Sequence, residues 1–236
     1  MKFAYLIEPP FNDRDASGAV LGHDVEIARH VFAELGAPFE PVEAEFAQLL
    51  PGLAEGHWQM TTGLFATPER GRIAAFTHPI WALPDGLLVR AGNPLGLAGY
   101  RSVAAHGSAV LAVIQDQLQH RSAVAFGMPD ARLRIFETYS EAAEAVRDGR
   151  ADGYASVARA HAGFLAQRPG LGLESVDVPH AEKPPAFGAF AVALDDRELL
   201  GRVNAVLAGF LGSVEHRDVA GRYGFSDGEV DLVTRE

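Results

Sequence analysis

Short β-rich runs alternate with stretches of helical hydrophobic period from one end of the chain to the other, and this alternation restricts the fold to the α/β class. Residues 3–7 read as a strand stopped by Pro9-Pro10, and 24–35 as a helix burying Val25, Ala28, Phe32 and Leu35, with Gly36 as its stop. Strands follow at 39–42, 60–62, 73–76 and 87–90, with a helix over 46–55 that Pro51 must start early or kink. Thr67, Pro68 and Glu69 have the chemistry of a helix start. The pattern then repeats, with strands at 110–114, 134–136 and 153–155. A helix from Gln117 has Asp116 as its candidate cap, a second opens on the capping box of Thr138 and Glu141, and a third spans 157–167. A strand at 189–194, a long helix from Asp196 and a last helix ending at Tyr223-Gly224 complete the reading.

Two punctuated breaks, Ala91-Gly92-Asn93-Pro94 and Lys183-Pro184-Pro185, interrupt this alternation. They predict two lobes, one discontinuous (1–90 plus 186–236) and one continuous (91–185), each a mixed sheet flanked by helices. Two crossovers between lobes are hinge architecture, and a ligand is expected between them.

The charge balance narrows function. With 20 Lys+Arg against 31 Asp+Glu, the net charge of −11 gives no clustered basic surface for phosphate, so no nucleic-acid partner is expected. The absence of cysteine removes disulfides, thiolate metal sites and cysteine nucleophiles together. Lys2 is followed by only five apolar or aromatic residues, too few for a secretory leader within these residues.

Most local motifs fail on context. Gly224-Phe225-Ser226-Asp227-Gly228 has the form of a serine-nucleophile elbow, but no His follows His216 to complete the hydrolase order, so a helix-ending turn is expected. Asp13 to Asp24 approximates a calcium loop, yet Pro9-Pro10-Phe11 cannot be the entering helix, and a polar hairpin is the better reading. The nine His show no i,i+4 pair, so His23, His30 and His57 are expected at the surface or behind it, and no metal site or cofactor is expected.

One set of residues carries more. Pro9-Pro10-Phe11, then Gly22-His23-Asp24-Val25-Glu26-Ile27-Ala28, Leu35-Gly36, the run from Leu49 to Gly56, Thr67-Pro68-Glu69-Arg70 and Phe76-Thr77-His78-Pro79 occur in a distinctive order and spacing. With the run from Ala142 to Asp152, and Tyr223-Gly224, they resemble the bacterial extracellular solute-binding proteins of family 3, which serve polar amino-acid ABC importers. The resemblance implies the type II periplasmic-binding-protein fold and a non-enzymatic role. It also implies a small polar solute as ligand, the permease membrane subunits of an ABC importer as partner, a monomeric state, and a periplasmic or extracellular location.

The resemblance also assigns candidate ligand residues. Arg70 matches the residue that clamps a substrate carboxylate, for which a bidentate guanidinium is suited. Thr62, Gly63 and Phe65 match the loop lining the cleft, and Gly63 would allow close backbone approach. Phe46, which composition alone assigns to the core, matches an apolar pocket wall, and Phe11 and Trp81 are further walls. Asp116, Gln117 and Leu118 stand where small hydrogen-bonding residues are usual in the second lobe, and Gln115 beside them is a further candidate polar contact. Asp116 either caps its helix or faces a cationic group. Val157 stands where an Asp usually binds the α-ammonium, and the neighbouring Ser156 cannot replace that charge. Glu8 stands where an aromatic is usual, and either supplies the missing anion or lies on an exposed rim. These departures argue against an ordinary α-amino acid and for a polar ligand with a cationic or amide-rich part. The alternatives are an enzyme on the same fold, resembling cyclohexadienyl dehydratase with Glu8 or Asp116 as its acid/base, and a sensory or orphan cytosolic module.

Overall fold

In the computed structural model, which describes residues 1–234, the alternation resolves into twelve strands and nine helices. In chain order these are β1 (Lys2–Tyr5), β2 (Asp13–Arg14), β3 (Val20–Leu21), α1 (His23–Glu34), β4 (Glu40–Glu43), α2 (Leu49–Ala54) and β5 (Met60–Phe65). There follow β6 (Ala74–Leu83), β7 (Asp85–Arg90), α3 (Tyr100–Ala105), β8 (Leu111–Ile114), α4 (Leu118–Ala125), β9 (Leu133–Phe136) and α5 (Tyr139–Arg147). The chain closes with β10 (Gly153–Val157), α6 (Ala158–Gln167), β11 (Leu173–Asp177), β12 (Ala186–Ala193), α7 (Arg197–Phe210), α8 (Val214–Arg222) and α9 (Asp227–Thr234).

Two compact units result: residues 1–82 with 186–236, and residues 83–185. The first crossover therefore precedes the break at 91–94 instead of coinciding with it. The reason is strand pairing: β7 runs antiparallel to both β10 and β11, so residues 85–90 are held in the second sheet.

The first unit is built on a five-stranded sheet in the order β4-β1-β5-β12-β6. β1 is parallel to β4 and β5, and β12 enters antiparallel to β5. Helix α1 connects β1 to β4 because Val25, Ile27, Ala28, Val31 and Phe32 make a continuous buried face. Its Phe32 meets Phe3 of β1 edge-on at 6.4 Å, and Phe190 of β12 meets Phe3 edge-on at 5.9 Å, so one aromatic knot joins helix and sheet. Gly36 ends α1 at φ 65°.

The second unit repeats the plan with sheet order β11-β7-β10-β8-β9. Leu87, Val89, Leu111, Val113 and Ala155 of the sheet pack with Tyr100 and Val103 of α3. Thr138 and Glu141 form the reciprocal capping box at the start of α5.

Three local expectations change. Thr67 starts only a single 3₁₀ turn at residues 70–72, because Gly71 and the approach of β6 at Ala74 leave no length for a helix. Asp116 does not cap α4; it takes the left-handed conformation at φ 63°, and Gln117 occupies the cap position. Ser226 caps a further helix, α9, accepting from the Glu229 N–H while the Glu229 carboxylate accepts from Ser226.

Candidate functional site

The first unit gathers eight of the candidate residues around the end of β5. Arg70 is 5% exposed, and its guanidinium is preset by two contacts: Nη1 donates to the Phe65 carbonyl at 3.1 Å, and the charge lies 5.2 Å from the centre of the Phe46 ring. The Thr67 hydroxyl accepts from the Arg70 backbone N–H at 3.3 Å, which fixes the turn that presents it. A buried guanidinium held at a fixed angle suits a planar carboxylate, since little side-chain freedom is lost on binding.

Beside it lies an aromatic cluster. Trp81 meets Phe65 edge-on at 5.0 Å and Phe11 at 5.8 Å, and all three rings are buried. The indole fits because β12 carries glycine where it crosses: a Cβ on Gly188 would sit 1.9 Å from a Trp81 ring carbon. Glu8 is half-buried, and its turn is closed by the Glu8 N–H donating to the Asn12 carbonyl at 3.0 Å, which brings Glu8 and Phe11 onto one tight loop.

Thr62 and Gly63 are occupied from within. The Asp24 carboxylate accepts from the Thr62 hydroxyl and the Gly63 N–H, both at 2.8 Å, and Asn12 donates to the same hydroxyl at 2.8 Å. Gly63 is required by this packing, since a Cβ there would lie 2.7 Å from the Trp81 indole nitrogen and 2.9 Å from Asp24. His23 pairs with the other Asp24 oxygen at 2.9 Å and stacks on Phe225 at 4.2 Å. His23 is thus buried, whereas His30 is half-buried and His57 exposed. Nearby, burial holds the His216 imidazole neutral, with its pKa lowered to about 4.

In the second unit, Gln115 and Asp116 are exposed at the end of β8, and Ser156 is buried within β10. Gln117 is 5% exposed, and its Oε1 has no hydrogen-bond partner among the described residues. Val157 is buried and pairs with Asp85 across β10 and β7. Asp85 is the centre of a polar cluster: Tyr100 donates to it at 2.5 Å, Gln119 at 2.8 Å, and the Lys183 ammonium lies 2.7 Å away. Burial and the Asp85 charge push the Tyr100 hydroxyl well above its ordinary pKa. Among the described residues no group of three His, Asp or Glu converges on a metal position.

Sequence reasoning missed the two buried acids, Asp24 and Asp85. Asp24 lies in the stretch from Gly22 to Ala28 that carries the family resemblance, but nothing local gives it a role; its signal is an acid on the apolar face of α1.

Comparison with known proteins is consistent across sequence and structure. The family model described as bacterial extracellular solute-binding proteins, family 3, matches residues 2–224. A probable amino-acid ABC transporter periplasmic-binding protein of Sinorhizobium fredii is 28% identical over 225 residues, covering 92% of this chain and 74% of the relative. The ABC transporter arginine-binding protein 1 of Escherichia coli is 25% identical over 207 residues, covering 85% of this chain and 80% of its own. The crystal structure of EhuB in complex with hydroxyectoine superposes with a TM-score of 0.89 at 27% identity, over 98% of this chain and 90% of that one.

Proposed function

Because the chain belongs to the bacterial extracellular solute-binding proteins, family 3, and has the type II periplasmic-binding-protein fold, we propose that it captures a small zwitterion bearing a carboxylate and a delocalised cation, of the hydroxyectoine kind. The observation that carries this reading is the buried Arg70 guanidinium, stacked on Phe46 and tied to the Phe65 carbonyl, with an aromatic cluster beside it. The carboxylate is assigned to Arg70. The cation is assigned to the faces of Phe11, Phe46 and Phe65 with the negative charge of Glu8, because a delocalised cation is weakly hydrated and favours aromatic faces. Trp81 backs Phe11 and Phe65.

Within the second unit, Gln115, Asp116, Gln117 and Ser156 are the candidate polar contacts for a solute, and the unpartnered Gln117 Oε1 is an acceptor. Val157 offers no anion, which weighs against a primary α-ammonium and hence against an ordinary α-amino acid. A second reading is arginine, named for the Escherichia coli relative, since its guanidinium is also a delocalised cation. The remaining elements are a monomer without nucleic-acid partner, in the periplasm or outside the cell, that delivers solute to an ABC permease and performs no chemistry on it.

A thermal-shift panel of hydroxyectoine, arginine, betaines and neutral amino acids tests this. Hydroxyectoine is expected to raise the Tm saturably, and Glu8→Gln to weaken that response. A response confined to amino acids, or conversion of the added solute on prolonged incubation, would overturn the reading.

A further inference from the structure

The Asp24 side chain is 1% exposed, an expensive place for an acid unless its oxygens are satisfied. Apart from the pairing of its Oδ1 with His23, its contacts lead to the solute-site elements of the first unit. Its backbone N–H donates to the Phe11 carbonyl at 3.1 Å, and the preceding His23 N–H donates to Pro10 at 2.9 Å, so the start of α1 holds the loop that carries Glu8 and Phe11. Its Oδ2 receives the Gly63 N–H at 2.8 Å, two residues before Phe65, whose carbonyl in turn holds Arg70. The same oxygen lies 3.5 Å from the Trp81 indole nitrogen. Gly63 and Gly188 leave space for that indole and nothing larger than hydrogen at their own positions.

We propose that Asp24 is a positioning residue for the solute site, acting through Gly63 and Trp81 to set where Phe65, Phe11 and Arg70 stand. The proposal rests on the solute-site reading for its functional consequence, but its structural content is independent of which solute binds. It also assigns the Thr62 hydroxyl and the Gly63 N–H to the scaffold, leaving the guanidinium and the aromatic faces to meet the ligand. A carboxylate suits this task because one oxygen can accept from both Thr62 and Gly63 while the other pairs with His23. It is electrostatically apt as well, since a fixed negative charge behind the aromatic cluster favours a cation in front of it.

The experiment compares the full chain with Asp24→Ala, Asp24→Asn and Gly63→Ala. Two-dimensional ¹H–¹⁵N spectra without solute follow the Gly63 amide, the Trp81 indole N–H and the Arg70 Nε–H, and calorimetric titration uses hydroxyectoine as the probe. The amide of Asp24→Asn keeps one acceptor oxygen on Gly63 and Thr62, so its three resonances are expected near their wild-type positions, with affinity within about threefold. Asp24→Ala is expected to expose the Gly63 amide to exchange, move the Trp81 and Arg70 signals, and weaken hydroxyectoine binding by about tenfold or more. Gly63→Ala, which keeps Asp24 but crowds the indole, is expected to move the Trp81 and Arg70 signals in a folded protein, and decides the matter if Asp24→Ala does not fold. Unmoved Trp81 and Arg70 signals in a folded Asp24→Ala, or in Gly63→Ala when that variant is the deciding one, would overturn the proposal. If wild-type protein ignores hydroxyectoine, the ligand reading fails, while the spectra still decide the positioning role.

Discussion

Gly188→Ala forces a decision on the Trp81 indole. The added methyl would lie 1.9, 2.0 and 2.3 Å from three ring carbons, so contact at an ordinary carbon–carbon separation requires about 1.5 Å of movement. The ring has nowhere to go: it is 6% exposed, with Phe65 at 5.0 Å and Phe11 at 5.8 Å. Overpacking of this kind costs about 1–3 kcal/mol, and in a chain of this size the melting temperature falls by about 2–4 °C for each kcal/mol. A drop of about 2–12 °C is therefore expected by calorimetry, with a shift of tryptophan emission as the indole is displaced. Gly201→Ala is the matched comparison. Gly201 is exposed inside α7, and a methyl added there would meet nothing within 4 Å, so alanine is expected to stabilise by about 0.5–1 kcal/mol. A Gly188→Ala protein with wild-type Tm and emission would refute the packing on which the aromatics of the proposed solute site depend.

Acid stability and the second unit give further tests. His161 is fully buried, with Nε2 donating to the Gly86 carbonyl at 3.2 Å and Nδ1 accepting from the Tyr139 hydroxyl at 2.6 Å, and burial lowers its pKa to about 4. Since the folded pKa lies below the unfolded value of about 6.5, this group's contribution is intact above pH 6.5 and is lost as the pH falls from there toward 4. Each proton taken up only on unfolding costs about 1.4 kcal/mol per pH unit, and urea denaturation of His161→Gln between about pH 4.5 and 6 is expected to show a slope shallower by up to about that amount; an unchanged slope would contradict the assignment. Lys183→Met leaves the Asp85 carboxylate buried without its cation and is expected to destabilise by about 3 kcal/mol, with much of the loss restored by adding Asp85→Asn. Strict additivity in that pair, measured by denaturation, would show that the two groups are not coupled.

Much of this architecture is legible in the sequence because it is written in local chemistry. The buried stripe of α1, the capping box of Thr138 and Glu141, and the stop at Gly36 each depend on residues within a few positions. What escapes is decided at a distance. Residues 87–90 read correctly as part of a strand, but which sheet they join depends on pairing with β10 and β11, far along the chain. Thr67 and Pro68 signal a helix, and the demands of β6 cut it to one turn. Asp116 looks like a cap, yet the turn out of β8 needs a left-handed residue at that point, a conformation that Asp tolerates. The buried roles of Asp24 and Asp85 could not be read locally, since an acid in an apolar pattern is ordinarily a surface residue and only tertiary packing supplies its partners.

The central claim is that Arg70 holds the carboxylate of a zwitterionic solute, and one calorimetric comparison tests it directly. Hydroxyectoine titrated into the wild-type chain should bind saturably, and into Arg70→Ala should bind at least about a hundredfold more weakly, as expected for loss of a buried bidentate ion pair. Equal affinity in the two proteins would contradict it.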